Sequence, residues 1–437
     1  MTTPKSLDDQ NRKGAQHLLA KNYQKAASMF EGVLKADPDN MGANAGVATL
    51  LYDTGNARPG YGYAQKALKN GSNNVPLLHL VVQIALRLGK FDDAKRYATK
   101  AYKLAPKAAD GIKAYLLYLS SIGDVSKVER LARELLALDK STEARLTAGT
   151  ALETAGRIPE AIRIYRNAIA DIVAENSPPP PIPKGAIVHE RSQNALFDIK
   201  KYLDSLGVPF CLAHGTLLGI YRDGDLLPGD SDVDVMLPWS VDRLWLAGEL
   251  ARLGCTITTS PQELRGHSGQ WGMGIMMPPH DSVVELSFLK PENGKVWFGF
   301  TRGQHVIRLP VSPFGFTSVP YLGIPFPIPH PCDRHLSEIY GESWNVRTRN
   351  RNFFIINPNI VDEGHVRIAY SFNHILGGIL KGNYKKAQGY TEQLLSVYDD
   401  PLLYRLRTYF ASVPNITLFD PLPQQSERLH YREVMGG

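Results

Sequence analysis

With 437 residues, 43% of them hydrophobic and 21% charged, the chain has the composition of a globular protein of two or three domains, not of a disordered or fibrous one. Lys and Arg outnumber Asp and Glu by 49 to 43, an excess compatible with phosphate-bearing substrates but too mild to call for nucleic acid. Three widely spaced cysteines, Cys211, Cys255 and Cys332, exclude a disulfide framework or a zinc ribbon and fit a reducing, cytoplasmic compartment.

The polar N-terminus, Met1-Thr2-Thr3-Pro4-Lys5, lacks the continuous apolar region of a signal peptide. No segment reaches the roughly 18 apolar residues of a membrane span. A turn then recurs at Lys21-Asn22-Tyr23, Gly55-Asn56-Ala57, Gly89-Lys90-Phe91, Gly123-Asp124-Val125 and Gly156-Arg157-Ile158, at intervals of 34, 34, 34 and 33 residues. Five residues after each turn begins stands Ala26, Gly60, Ala94, Val128 or Ala161, the position where one helix approaches its neighbour. Each period predicts two amphipathic helices joined by a tight turn, which bury their apolar faces only by stacking on the next pair. Arg58-Pro59-Gly60-Tyr61-Gly62 reads as a poor helix start. The series resembles tetratricopeptide repeats over about residues 8–175. That resemblance implies an α-solenoid whose concave surface takes a protein partner or a second copy of the chain, the bland alternative being a passive spacer.

Ser177-Pro178-Pro179-Pro180-Pro181-Ile182-Pro183 predicts a short stiff spacer and a domain boundary. The expected organisation is an array over 1–176, a linker over 177–185, a mixed-sheet α/β catalytic domain over 186–360 and a helical extension over 361–437. Past the linker, Leu196, Ile199, Leu203 and Leu206 are spaced as on a helix, and Pro209–Ala213 reads as a buried strand. Further strands are expected at Val233–Leu237, Gly254–Thr258, Gly274–Met277, Ser282–Leu289, Lys295–Phe300 and His305–Leu309, with a helix near Val241–Leu253.

The chemistry concentrates between His214 and Met236. Gly215 and Thr216 close a strand and open a helix, so free backbone amides and the Thr216 hydroxyl make a natural phosphate seat. Asp232 and Asp234 alternate with Val233 and Val235, which puts both carboxylates on one face of a strand and both valines in the core. Two acids on one face repel each other unless a cation lies between them, and hard oxygen ligands suit Mg²⁺ or Mn²⁺ shared with substrate phosphates. Asp230 is a further ligand or orienter. Glu285, set among apolar residues in Ser282–Phe288, is the third acid, either completing the metal site or taking the proton of an acceptor hydroxyl. Asp281 is held in reserve for that role.

This stretch resembles the LicD/fukutin family of phosphotransferases in Gly215–Gly219, Arg222, Pro228, Asp230, Asp232 and Asp234, and more loosely over about residues 187–360. The resemblance implies a nucleotidyltransferase-like fold that transfers a phospho-alcohol, such as phosphocholine or a phospho-alditol, from a CDP-linked donor to a sugar hydroxyl of a glycan. Gly229 stands where the family usually has Trp, and Ser231 where many bacterial members have another Asp, which leaves the donor group less defined than the reaction.

Arg222 is a candidate clamp for the donor pyrophosphate, or else a surface ion pair. Arg347, Arg349 and Arg351 alternate along one segment and present cations to a nucleotide or acidic glycan, or simply to solvent. His330, Cys332 and His335 lack a fourth ligand and read as structural, and Trp271 reads as core. Gly382-Asn383-Tyr384-Lys385-Lys386-Ala387 echoes Lys21-Asn22-Tyr23-Gln24-Lys25-Ala26 and predicts one more repeat-like hairpin near the C-terminus. The same acids would also serve a nucleotidyltransferase that releases pyrophosphate from a nucleoside triphosphate. A scaffold built on the array with a decayed second domain is the non-catalytic alternative.

Overall fold

The computed structural model describes residues 4–175, 188–228, 230, 232–266, 271–279, 282–347, 352–413, 422, 424, 425 and 428–435. Two compact units result, the first within Met1–Lys140 and the second from Ser141 onward.

The first unit is built from α1 (Pro4–Leu19), α2 (Tyr23–Ala36), α3 (Met41–Asp53), α4 (Ala57–Asn70), α5 (Val75–Arg87), α6 (Phe91–Leu104), α7 (Ala109–Ser121) and α8 (Val128–Leu138). Gly55, Gly89 and Gly123 turn with φ of +83°, +61° and +68°, and Lys21 takes the same left-handed conformation at +57°. These are the positions marked by the sequence period, and glycine adopts that conformation without steric cost. Ala26, Ala94 and Val128 are buried to 1% exposure or less, as the close-approach positions require. A Cβ at Gly60 would lie 3.2 Å from the Ala48 carbonyl oxygen. The poor start expected at Arg58–Gly62 is a helix after all: Pro59 falls in the first turn of α4, where its missing N–H has no intrahelical partner to lose. Tyr61 is buried there and donates its hydroxyl to Asp93 at 2.5 Å.

The second unit opens with α9 (Thr142–Thr154) and α10 (Ile158–Glu175) and continues through α11 (Val188–Ser205), β1 (Cys211–Leu212), α12 (His214–Asp223), β2 (Asp232–Pro238), α13 (Arg243–Arg252), β3 (Thr256–Ile257) and α14 (Pro261–Arg265). There follow β4 (Gly272–Met277), β5 (Ser282–Glu292), β6 (Lys295–Arg302), β7 (His305–Val311), β8 (Gly315–Tyr321), β9 (Ile324–His330), α15 (Cys332–Tyr340), α16 (Phe353–Ile356) and β10 (Val361–Asp362). The chain ends in α17 (Val366–Leu380), α18 (Tyr384–Val397), β11 (Tyr398–Asp399), α19 (Pro401–Ser412), β12 (Leu429–His430) and α20 (Tyr431–Met435). Among the described residues no helix is long and apolar enough to cross a membrane.

One mixed sheet runs β1-β2-β5-β6-β7-β10, with β4 also on β5 and β3 on β4. The β2–β5 pair is parallel and the other pairs of this sheet are antiparallel. Val233, Val235, Val284 and Leu286 enter the core on one face, at 0–1% exposure. A separate hairpin, β8–β9, carries three alternating prolines, Pro325, Pro327 and Pro329. A proline there needs no ladder donor toward the open side, so an isolated hairpin accepts what a central strand would not.

The hairpin α9–α10 belongs to this second unit, so the compact units divide at Lys140/Ser141. The proline-rich stretch at 177–185, where the boundary was expected, lies outside the described residues. Side chains show what holds the hairpin there. Arg166 donates through Nε and Nη2 to the fully buried Asp400 at 2.6 and 2.7 Å, Arg302 donates to Glu153 at 2.8 Å, and Asn373 donates to Tyr165 Oη at 2.8 Å. The echo near the C-terminus is a helix pair as expected. Gly382 turns at φ +62°, and a Cβ on Gly378 would come within 3.1 Å of the Ala387 Cβ.

Candidate active site

The strand β2 receives its neighbours in an order that builds the site. Asp234 is the Cα partner of Glu285 on parallel β5, and Asp232 that of Val283. Partners on paired strands point to the same face, so Asp232, Asp234 and Glu285 share the face opposite the valines. Gly274 of β4 lies across from Glu285 on its other side and adds no side chain to that face.

The start of α12 locks onto Asp234. Leu212 pairs with Val235, the Ala213 N–H donates to the Asp234 carbonyl at 3.1 Å, and the chain turns at His214 with φ +43°. The Gly215 N–H then donates to Asp234 Oδ2 at 3.2 Å, while Thr216 Oγ1 accepts from the Asp234 N–H at 2.9 Å. The Gly215 amide and Thr216 hydroxyl, expected to face a phosphate, are thus engaged with Asp234 and fix its orientation. Asp230 also closes on this glycine: a Cβ at 215 would sit 2.6 Å from Asp230 Oδ2 and 3.6 Å from Asp234 Oδ2. Gly219 is required for a different reason, since a Cβ there would meet the Asp225 carbonyl oxygen at 2.6 Å and the Leu227 nitrogen at 2.8 Å. The two glycines of Gly-Thr-Leu-Leu-Gly therefore admit, in turn, the carboxylates and the loop that leads to them.

Electrostatically the face is crowded with one sign. Burial, then Asp232, Asp230 and Glu285, push the Asp234 carboxyl well above its ordinary pKa, against the pull of the Gly215 amide. Glu285 keeps an exposed edge, yet the protein around its carboxyl, followed by Asp232, raises it as well. Among the described residues no three His, Cys, Asp or Glu side chains form a ready-made metal cage. The donors are all oxygen, they repel one another, and a Mg²⁺ that shares its shell with substrate phosphates needs only one or two carboxylates. Asp232 and Asp234, with Asp230 beside them, fit such an ion.

Two buried tyrosines not marked by the sequence are acted on by the charge of these acids. Tyr340, at the end of α15, is raised by burial and then by Asp234 and Asp230, with Arg222 opposing. Tyr390 on α18 is raised by burial and Tyr370, with Asp232 adding to the effect. Their signal in sequence is only the apolar spacing of ordinary core helices, so nothing short of tertiary structure reveals them.

Arg222 donates to both oxygens of its neighbour Asp223, at 3.0 and 2.8 Å, and to the Trp344 carbonyl at 3.3 Å. Arg347 also donates to Asp223, at 3.0 Å. Arg222 and then Arg347 hold the Asp223 carboxyl below its ordinary pKa. Of the four candidate arginines, the two among the described residues are therefore gathered by one aspartate that sequence reasoning passed over. Arg349 and Arg351, the reserve acid Asp281, and the family departures Gly229 and Ser231 lie outside the described residues.

Beneath the site His214 is buried, its Nε2 3.3 Å from Ser287 Oγ and its ring 4.9 Å from that of Phe353. Burial, with His335 second, lowers its pKa to about 3, so it is neutral. Cys332 and His335 are buried while His330 is exposed, and His335 packs edge-on against Phe314. Trp271 is buried edge-on against Trp239.

A family model described as LicD/FKTN/FKRP, nucleotidyltransferase domain, matches residues 207–250, the span that contains β1, α12 and β2. A tetratricopeptide-repeat model matches residues 75–107. These matches are consistent with a tetratricopeptide-repeat array followed by a LicD-type domain. The LicD-type domain points to a transferase of the phosphotransferase, glycan-modifying kind, and the array points to protein interaction. Similar solved structures include a thermophilic tetratricopeptide-repeat protein of Thermus thermophilus, at 19% identity over 38% of this chain and 90% of that one, with a TM-score of 0.35. A MamA protein is 17% identical over 40% and 96% of the two chains, with a TM-score of 0.30. PilF of Pseudomonas aeruginosa is 15% identical over 39% and 82%, with a TM-score of 0.32. Comparison with curated proteins gives no match.

Proposed function

We propose that the LicD-type domain is a metal-dependent phosphotransferase that moves a phospho-alcohol, of the phosphocholine or phospho-alditol type, from a CDP-linked donor to a hydroxyl of a cell-surface glycan precursor. The observation that carries this reading is the register of β2 against β5, which sets Asp234 beside Glu285 with Asp232 on the same face. Asp232 and Asp234, with Asp230, would hold Mg²⁺ or Mn²⁺; when bound, the ion neutralises the carboxylates and the donor's phosphoryl oxygens.

The chain's own residues account for the rest. Glu285, raised and open at one edge, accepts the proton of the acceptor hydroxyl. The acceptor oxygen then forms its bond to the phosphorus bearing the alcohol, and the bond from that phosphorus to the bridging oxygen breaks, so that CMP leaves. The Gly215 amide keeps the Asp234 carboxylate from turning away, and the Thr216 hydroxyl, accepting from the Asp234 N–H, holds its main chain. Arg222 and Arg347, pooled on Asp223, are the cations nearest in role to the departing CMP phosphate. The array would bring a protein partner or a second copy to this enzyme.

Phosphorus NMR on the full chain with Mg²⁺, CDP-choline or a CDP-alditol, and a panel of saccharides as hydroxyl acceptors tests the proposal. CMP should appear with wild type and vanish in Asp232→Ala and Asp234→Ala; undiminished CMP release in both variants would sink it. Pyrophosphate released from a nucleoside triphosphate, with no CMP from CDP-alcohols, would move the same acids to nucleotidyl transfer.

A further inference from the structure

The hairpin β8–β9 has one closed edge and one open edge. Its register pairs Thr317 with Ile328 and Val319 with Phe326, while Phe316, Ser318 and Pro320 face Pro329, Pro327 and Pro325. Proline has no N–H to give, so the mutually bonded pairs of the ladder are those at Thr317 and Val319, and the three β9 prolines turn a donor-less edge outward. By the same alternation the N–H and C=O of Phe316 and Ser318 point away from β9, and among the described residues they meet no partner. Pro320 ends this run of free donors. Residues 315–318 and Pro320 are exposed, and the strand carries no Lys, Arg, Asp or Glu of the kind that guards a sheet edge against pairing.

A cavity of about 240 Å³ lies beside that edge. Tyr221 of α12, Thr317 and Val319 of β8, Ile328 of β9, and Cys332 and Asp333 of α15 line it, with His330. Its volume falls below the roughly 300–1,000 Å³ of a site that encloses a small-molecule ligand, and suits a single side chain. Thr317, Val319 and Ile328 share one face of the hairpin. A strand laid along β8 and bonded to Phe316 and Ser318 therefore turns the side chain opposite Thr317 toward the cavity.

The chemistry of the cavity says which side chain. Tyr221 and Val319 are half-buried and Ile328 and Cys332 buried, which gives apolar walls for an aliphatic stem. Asp333 is exposed and accepts from the Tyr221 hydroxyl at 3.1 Å, and among the described residues no cation pairs with it. The adjacent Arg334 donates instead to the Pro313 carbonyl at 2.8 Å. We propose that the open edge of β8 docks an extended segment of a partner protein as a third strand, with a Lys or Arg side chain in the cavity and its charge on Asp333. A second copy paired edge to edge through β8 would leave Asp333 unmet, because β8 has no basic residue to offer. Main-chain bonds then supply affinity whatever the partner's sequence, and the cavity supplies selectivity. The inference is independent of the phosphotransferase reading and gives the second unit a protein-binding surface of its own.

Selection of a phage-displayed random dodecapeptide library on the full chain tests the proposal, after depletion of the library on the Ser318→Pro chain to remove ligands of every other surface. Ser318→Pro deletes an outward N–H and no hairpin bond, since position 318 faces Pro327. Asp333→Asn keeps an acceptor for Tyr221, so both variants should melt as wild type. Enriched peptides should share one Lys or Arg, and by fluorescence anisotropy their affinity should fall roughly tenfold or more in each variant. Hydrogen-exchange mass spectrometry of wild type needs no variant, and the bound peptide should protect the strand at residues 315–321. An absence of enriched peptides overturns the proposal, as do enriched peptides without a shared basic residue or with no protection of that strand. A concentration-dependent dimer that Ser318→Pro abolishes, with no peptide enriched, also overturns it and assigns the edge to a second copy.

Discussion

Asp234 and Glu285 are direct Cα partners across a parallel strand pair, and the first is tied down by the Gly215 amide while the second is open at one edge. That division fits a fixed ligand beside a group that exchanges protons. Glu285→Gln should reduce transfer by about 10²–10⁴-fold, the usual contribution of a general base. Because a base acts deprotonated, the wild-type rate should fall as pH drops through the raised pKa of Glu285, and the variant's residual rate should lack that acidic limb. Pre-steady-state rates across pH would read both effects, and a variant with an unaltered pH profile would show that the proton goes elsewhere.

Gly215→Ala tests the packing of the two aspartates around one glycine. The new methyl would stand 2.6 Å from Asp230 Oδ2, too close without moving that carboxylate. Alanine is itself a better helix former than glycine, so thermal stability should hold or rise while Mg²⁺-dependent activity drops by an order of magnitude or more. Full activity in a folded Gly215→Ala protein would mean that Asp230 is free to leave.

The order of the second unit depends on Asp400, which is fully buried and accepts two hydrogen bonds from Arg166. Removing one partner of a buried pair leaves the other charge uncompensated, at a cost of about 3–5 kcal/mol. Asp400→Ala should therefore lower the midpoint of denaturant unfolding for the second unit. Arg166→Met in the same background should recover part of the loss, since the stranded charge is then gone.

The parts legible in the sequence were those with a local cause. The turns could be read because a left-handed residue recurs with the period, as Gly55, Gly89 and Gly123 do. Asp232 and Asp234 stood out because a strand's alternation separates two acids from two valines. The β8–β9 hairpin was hidden by Pro325, Pro327 and Pro329, which argue against a strand unless one knows that, among the described residues, it pairs with β8 alone. Tyr340 and Tyr390 had no local mark at all, because α15 and α18 take their places only through tertiary packing. The engagement of Gly215 with Asp234 was likewise out of reach, since a sequence gives a turn but not which acceptor its amide will meet.

His214 and His335 make a pH prediction. Both are buried, with pKa values lowered to about 3 and about 4 by burial, with His335 and Arg334 respectively as secondary causes. A histidine whose folded pKa lies below its unfolded value contributes stability that is present above the unfolded pKa, near 6.5, and is lost as pH falls toward the folded one. Stability should therefore decline from about pH 6.5 downward. The raised Asp234 and Glu285 carboxyls act in the opposite sense, favouring the folded metal-free protein as they take up protons. His335→Leu should flatten the acid decline in a series of melting curves between neutral and mildly acid pH. An identical pH slope in wild type and variant would remove His335 from the account.

Calorimetric titration of the full chain with CDP, in the presence and absence of Mg²⁺, addresses the role of Asp232 and Asp234 most directly. Wild type should bind CDP with heat that depends on the metal, and the paired substitution Asp232→Asn with Asp234→Asn should abolish that dependence in a protein that still melts cooperatively. Metal-dependent binding of CDP that survives in the folded double variant would contradict the assignment of this site.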